Sequence, residues 1–83
     1  VKAPITVEAQ TQSDGSVLPL AFVWRGRRYK ICSHGRRWVI DGEQLFLVMA
    51  EGEKTFELAW LAEQGEWELR RTPRHFGGPA RVA

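Results

Sequence analysis

Residues 22–31, Phe-Val-Trp-Arg-Gly-Arg-Arg-Tyr-Lys-Ile, alternate in character on both sides of one glycine. A glycine can adopt the positive φ that a two-residue hairpin loop needs, so the stretch reads as two antiparallel strands closed at Arg25, Gly26 and Arg27. Whether the loop is Arg25-Gly26 or Gly26-Arg27, Phe22, Trp24, Tyr29 and Ile31 fall on one face of the ribbon, because strand side chains alternate. Val23, Arg25, Arg28, Lys30 and Cys32 share the other. One face builds a core and the other is mostly cationic, which predicts a small β domain.

The rest of the chain continues the pattern. Ile5, Val7 and Ala9 alternate with Thr6, Glu8 and Gln10 as a half-buried strand, with Pro4 limiting its start. A polar turn at residues 11–16 is marked by Asp14-Gly15, and Leu18, Leu20, Phe22 and Trp24 are in phase on the next strand, with Pro19 near its beginning. After the tip, a third strand over residues 28–33 is expected to end at His34-Gly35, where the chain turns. Residues 36–40 then form a short fourth strand, and Asp41-Gly42 is a second two-residue hairpin signal that sets Trp38 opposite Leu45. The apolar run at residues 44–50 fits strand or buried helix by periodicity; its length and flanking turns favour strand. A helix over residues 55–64 competes with a strand there. A four-residue loop at 62–65 sets Trp60 opposite Trp67 and Leu58 opposite Leu69, burying all four on one face, and this consistency decides for strand.

The expectation is an all-β fold: a single small antiparallel meander of about six strands, curled into a partly open SH3-like barrel or bent sheet. Residues 1–71 make the domain, and residues 72–83, with two prolines and two adjacent glycines, read as a mobile C-terminal tail. Eighty-three residues suffice for one core but not for a core and a separate catalytic lobe. Nine aromatics, four of them Trp, must carry much of the stability. One cysteine, Cys32, permits no internal disulfide, and no apolar run approaches the roughly 20 residues of a membrane span. These features, with no secretory signal in view, suit a cytoplasmic address.

The net charge is only +2, yet its distribution is uneven. Residues 25–37 hold six basic side chains, Arg25, Arg27, Arg28, Lys30, Arg36 and Arg37, and no acidic one. Residues 41–68 hold eight acidic side chains against Lys54 alone, after which Arg70 and Arg71 restore the positive sign. A basic ribbon lying beside an acidic one would neutralise it across strands, and this accounts best for the middle of the chain. At the hairpin tip an anionic partner is the better account.

Some of these residues carry a resemblance. Phe22, Trp24, Arg25, Gly26 and Tyr29, then Trp38, then Phe56, Glu57 and Leu58, then Gly65, Trp67, Leu69 and Arg71 resemble the pattern of a family of small bacterial all-β domains without an assigned function. The pattern is Trp-Arg-Gly-x-x-Tyr, a later Trp, aromatic-Glu-Leu, and Gly-x-Trp-x-Leu-x-Arg, over residues 19–71. Such domains look like stand-alone proteins or appendages of error-prone Y-family DNA polymerases, which implies a DNA repair or translesion setting. The family brings no catalytic residues. This chain differs in a shorter stretch after Trp38, where relatives tend to carry further Trp residues.

The residue types argue against several chemistries. Cys32 and His34 are two apart on one strand, and with His75 in the tail they are too few and too scattered for a closed metal site. Cys32 suits a small apolar filler better than a nucleophile, having no oxyanion-donating loop beside it. Glu51 and Glu53 belong to a loop, and parity places Glu57, Glu66 and Glu68 on the solvent side of strands. No Gly-rich phosphate loop is present. The chain is therefore expected not to be an enzyme, to bind no cofactor, metal or small-molecule substrate, and to lack membrane association.

Two binding roles remain. Nucleic acid can be tracked through its phosphates by Arg25, Arg27, Arg28 and Lys30, supported by Arg36, Arg37, Arg70 and Arg71. Trp24, Tyr29 or Trp38 would stack bases if exposed, although aromatics opposite arginines in alternation are more often core. The alternative is a protein interaction module: an open sheet edge accepts a partner strand, and the apolar run at 45–49 exceeds what so small a core is expected to bury. Its partners would be a second copy, making a homodimer, or a DNA polymerase-like protein.

Overall fold

A computed structural model describes residues 3–73. Six antiparallel strands follow one another as β1 (Ala3–Thr11), β2 (Val17–Trp24), β3 (Arg27–Ile40), β4 (Glu43–Ala50), β5 (Lys54–Leu61) and β6 (Glu66–Arg71). Each pairs with the next, and β1 returns to β6 to close a small barrel of the SH3-like kind. Closure goes further than the partly open sheet expected, through Ala3↔Leu69, Pro4↔Glu68 and Ile5↔Trp67. Among the described residues no helix is long and apolar enough to cross a membrane.

The local signals act as their chemistry requires. Arg25 and Gly26 have φ of 54° and 74°, and Asp41 and Gly42 have 52° and 79°. Both loops therefore carry two left-handed residues, the twist-compatible way to join adjacent strands. Trp38 faces Leu45, Trp60 faces Trp67 and Leu58 faces Leu69, as the turn spacings predict. Phe22, Tyr29, Ile31, Phe46, Val48, Phe56, Leu58, Trp67 and Leu69 fill the barrel, with Trp24 and Trp60 packed at its margins. Because every second residue points inward, a second cluster forms elsewhere: Leu45, Ala59 and Leu61, partly covered by Trp38.

Four expectations need correction. His34-Gly35 does not turn the chain, and β3 runs through it for 14 residues. The pair instead sits at an irregularity between His34↔Val48 and Arg37↔Phe46, where Gly35 and Arg36 oppose Leu47. Such a bulge bends a strand without reversing it. A Cβ on Gly35 would stand 3.2 Å from the Leu47 carbonyl oxygen, so close backbone approach explains the glycine. Cys32, adjoining another irregularity of β3, is exposed and fills no core space. Glu57 is not solvated: it is 8% exposed, with Arg71 3.5 Å away. The run at 45–49 is largely accommodated, since Leu45, Phe46 and Val48 are buried, Leu47 is half-buried and Met49 is exposed.

Thr72 is 4% exposed, so packing continues just past β6. Residues 74–83, most of the stretch read as a tail, lie outside the described residues.

Candidate nucleic-acid interface

One end of the barrel is an aromatic cluster. Phe22 stacks on Tyr29 at 5.3 Å and meets Phe56 edge-on at 4.8 Å, while Trp24 meets Phe56 edge-on at 5.7 Å. Offset and edge-to-face pairs of this kind are the favourable geometries of ring quadrupoles. The rings are held from several sides, so they form a fixed base for whatever lies on them.

Cations lie on them. The Arg25 guanidinium sits 4.7 Å from the Trp24 ring centroid, and that of Arg27 sits 5.1 Å from Tyr29. Lys54 Nζ reaches the same Tyr29 ring at 5.8 Å. A ring beneath a guanidinium accepts no conventional hydrogen bond in the guanidinium's plane, so the N–H donors stay available for a phosphate. The ring contributes about 0.5–1 kcal/mol at an exposed site and narrows the directions the side chain explores. Lys54 was not legible as a member of this group, since in sequence it stands alone among acidic residues. The β4–β5 turn carries it to the hairpin end.

Other predicted cations are engaged elsewhere. Arg28 donates from Nε to Glu8 Oε2 at 2.7 Å and from Nη2 to Glu8 Oε1 at 2.9 Å, a two-pronged pair that reaches over the intervening β2. Its hydrogen bonds, aided by its charge against a desolvation effect, hold the Glu8 carboxyl below its ordinary value. Arg70 donates to Glu68 and Glu43, each at 2.9 Å. Arg71 lies beside Glu57. The Lys30 side chain is exposed, but its backbone N–H donates to the Glu51 carboxylate at 3.1 Å, placing an acid nearby.

Arg36 and Arg37 form a second basic surface. Arg36 lies 5.2 Å from the Trp38 ring, and both arginines line a groove of about 290 Å³ together with Leu18, His34 and Leu47. Arg27 and Arg36 are nine positions apart on β3, roughly 30 Å of strand before the bends shorten it. The eight predicted residues therefore do not form one site. Arg25 and Arg27 cap the barrel end with Lys54, Lys30 flanks them, Arg36 and Arg37 sit at the groove, and Arg28, Arg70 and Arg71 serve ion pairs. Base stacking on Tyr29 is excluded by its burial, and Trp24 and Trp38 are half-buried beneath arginines.

Among the described residues no three His, Cys, Asp or Glu side chains are placed to share a metal ion. His34 Nε2 is committed to the Pro19 carbonyl oxygen at 2.6 Å, and His75 lies outside the described residues. Comparison of the chain with known families, with curated proteins and with solved structures finds no match.

Proposed function

We propose that this barrel is a non-catalytic module that binds nucleic acid through its phosphates, with the hairpin end as the primary surface. The observation that carries this reading is the partition of the cations. Arg25 and Arg27 are exposed and rest over aromatic rings, whereas Arg28 is matched to a carboxylate. Binding of this kind is electrostatic and has little preference for sequence, because phosphate contacts position a protein without reading bases. The resemblance to appendages of error-prone DNA polymerases makes DNA under repair or translesion synthesis the proposed setting. There the module would add local affinity to a catalytic partner.

Engagement of about three phosphates, by Arg25, Arg27 and Lys54, sets a salt dependence. With a logarithmic slope of about −0.9 per phosphate on duplex DNA, affinity falls about 40-fold between 50 and 200 mM salt. Fluorescence anisotropy of labelled single- and double-stranded oligonucleotides measures it. The variant carrying Arg25→Ala, Arg27→Ala and Lys54→Ala should reduce the slope by about 2.7. Absence of binding at the lower salt, or an unchanged slope in the triple variant, overturns the proposal.

A further inference from the structure

Although the barrel is closed, β3 changes partner just past Lys30, and no pairing with β2 accompanies its ladder with β4. Its pairing with β2 ends at Ala21↔Lys30, and residues 31–40 pair with β4 on one side. Pro19, which has no N–H to offer a ladder, precedes the last β2 pair by two residues. Beyond it the two strands separate, and the hydrogen bond from His34 Nε2 to the Pro19 carbonyl spans the opening. The groove described above lies in this split, with Leu18 and Leu47 in its wall and Arg36 and Arg37 at its rim. At the far end of the strand Val39 and Ile40 are 66% and 51% exposed.

In an antiparallel pair the N–H and C=O groups of alternate residues point toward the partner and the others point away. Residues 37–40, where the register with β4 is regular, therefore present two outward donor–acceptor sets at strand spacing, just past the bulge at Gly35 and Arg36. A second copy of the same edge is a poor occupant, because residues 35–40 carry Arg36 and Arg37 and no acid, so pairing two such edges doubles the positive charge without neutralising it. Nucleic acid matches the donors but repels the outward carbonyls. An acidic strand matches both, and its alternate apolar side chains reach Leu18 and Leu47. Asp14, the acid near Arg37, is held on its own turn by the Ser16 hydroxyl and N–H at 2.7 and 3.0 Å.

We infer that the free edge of β3, at residues 35–40, is a docking site for an extended segment of a partner protein in which acidic and apolar residues alternate. The segment adds to the sheet as a strand, with main-chain hydrogen bonds supplying affinity and Arg36 and Arg37 selecting its charge. This surface is separate from the hairpin end, so either can fail without the other.

The test is an NMR titration of the full isotopically labelled chain with two capped octapeptides, one alternating Glu and Val and the other Lys and Val. The acidic peptide should shift the amides of residues 35–40 and slow their hydrogen exchange, and the basic peptide should do neither. Arg36→Ala with Arg37→Ala should weaken binding about tenfold, the size of two exposed charge pairs, with the remaining spectrum unchanged. Arg25→Ala with Arg27→Ala should leave it as it was. The inference is overturned by equal binding of both peptides, by shifts confined to the hairpin tip, or by no shifts at millimolar peptide. It is also overturned if an oligonucleotide, and neither peptide, moves the amides of the edge.

Discussion

Trp67→Ala tests the architecture at its most dependent point. Trp67 is 8% exposed, lies 5.1 Å from the Trp60 ring and 5.6 Å from Phe46, and pairs with Ile5 in the seam that closes the barrel. Truncating a buried Trp costs about 3–5 kcal/mol through lost burial and the cavity left behind. A domain of this size has a total stability of about 4–12 kcal/mol, so the substitution removes roughly a quarter of it or more. The melting temperature should fall by roughly 15–30 °C, with β1 losing hydrogen-exchange protection first because its seam with β6 is short. Trp24→Ala is the comparison, since sequence pattern ranks the two alike. Trp24 is half-buried and loses fewer contacts, so its expected cost is about 2 kcal/mol. Urea and thermal melts of both variants decide the matter. A Trp67→Ala melting temperature within about 5 °C of the parent, or a larger loss from Trp24→Ala, refutes the placement of Trp67 at the closing seam.

Other perturbations test separate parts of the account. Glu8 should titrate below its ordinary value of 4.5, and Arg28→Ala should return it there in an NMR titration. Because the folded-state value is depressed, the pair's contribution to stability is present above the ordinary value and disappears as pH falls through the depressed one. An unchanged Glu8 titration in the variant removes Arg28 as the cause. Gly35→Ala should cost about 1 kcal/mol in urea melts because the new Cβ presses on the Leu47 carbonyl, and a neutral result refutes the close approach. Arg70→Met should cost about 2 kcal/mol, between exposed and buried ion-pair values, since Arg70 is 16% exposed and its loss leaves Glu43 and Glu68 without their shared cation. Adding Glu43→Gln should recover part of that loss, and failure to recover any refutes the shared-cation arrangement.

The fold was legible wherever neighbouring residues decide the structure. The alternation around Gly26, the Asp41-Gly42 turn and the four-residue loop before Glu66 set register locally, and with it the Trp38–Leu45 and Trp60–Trp67 pairs. His34-Gly35 was misread because a glycine after a polar residue signals a turn as readily as a bulge. The distinction depends on Leu47, twelve residues away, whose carbonyl approaches the glycine. Cys32 and Glu57 were misplaced because type and parity predict a face but not what covers it. Cys32 falls beside a break in register, and Glu57 pairs with Arg71 where β6 has its own irregularity. The candidate site was legible in its hairpin tip, where charge and turn coincide in sequence. Lys54 was hidden because its neighbours on the chain are not its neighbours in space.

The charge pattern shows most plainly how linear and spatial readings diverge. Along the chain a basic ribbon precedes an acidic block, which suggests that the block neutralises the ribbon. In the barrel, Glu43, Glu57 and Glu68 of that block instead meet Arg70 and Arg71 of β6. From the basic ribbon, Arg28 is taken by Glu8 of β1, which precedes the ribbon in sequence. Glu68 shares β6 with Arg70, Glu57 faces Arg71 across the β5–β6 pairing, and Glu43 reaches Arg70 over the intervening β5. With those acids paired to β6, Arg25 and Arg27 settle on aromatic rings and Arg36 on Trp38. A ring face attracts a guanidinium through its quadrupole without supplying a compensating charge or occupying the in-plane donors. The molecule thus keeps a nearly balanced total while leaving Arg25 and Arg27 at the hairpin tip, and Arg36 beside Trp38, on rings rather than carboxylates, the condition under which an anionic partner is attracted to a defined surface of a weakly charged protein.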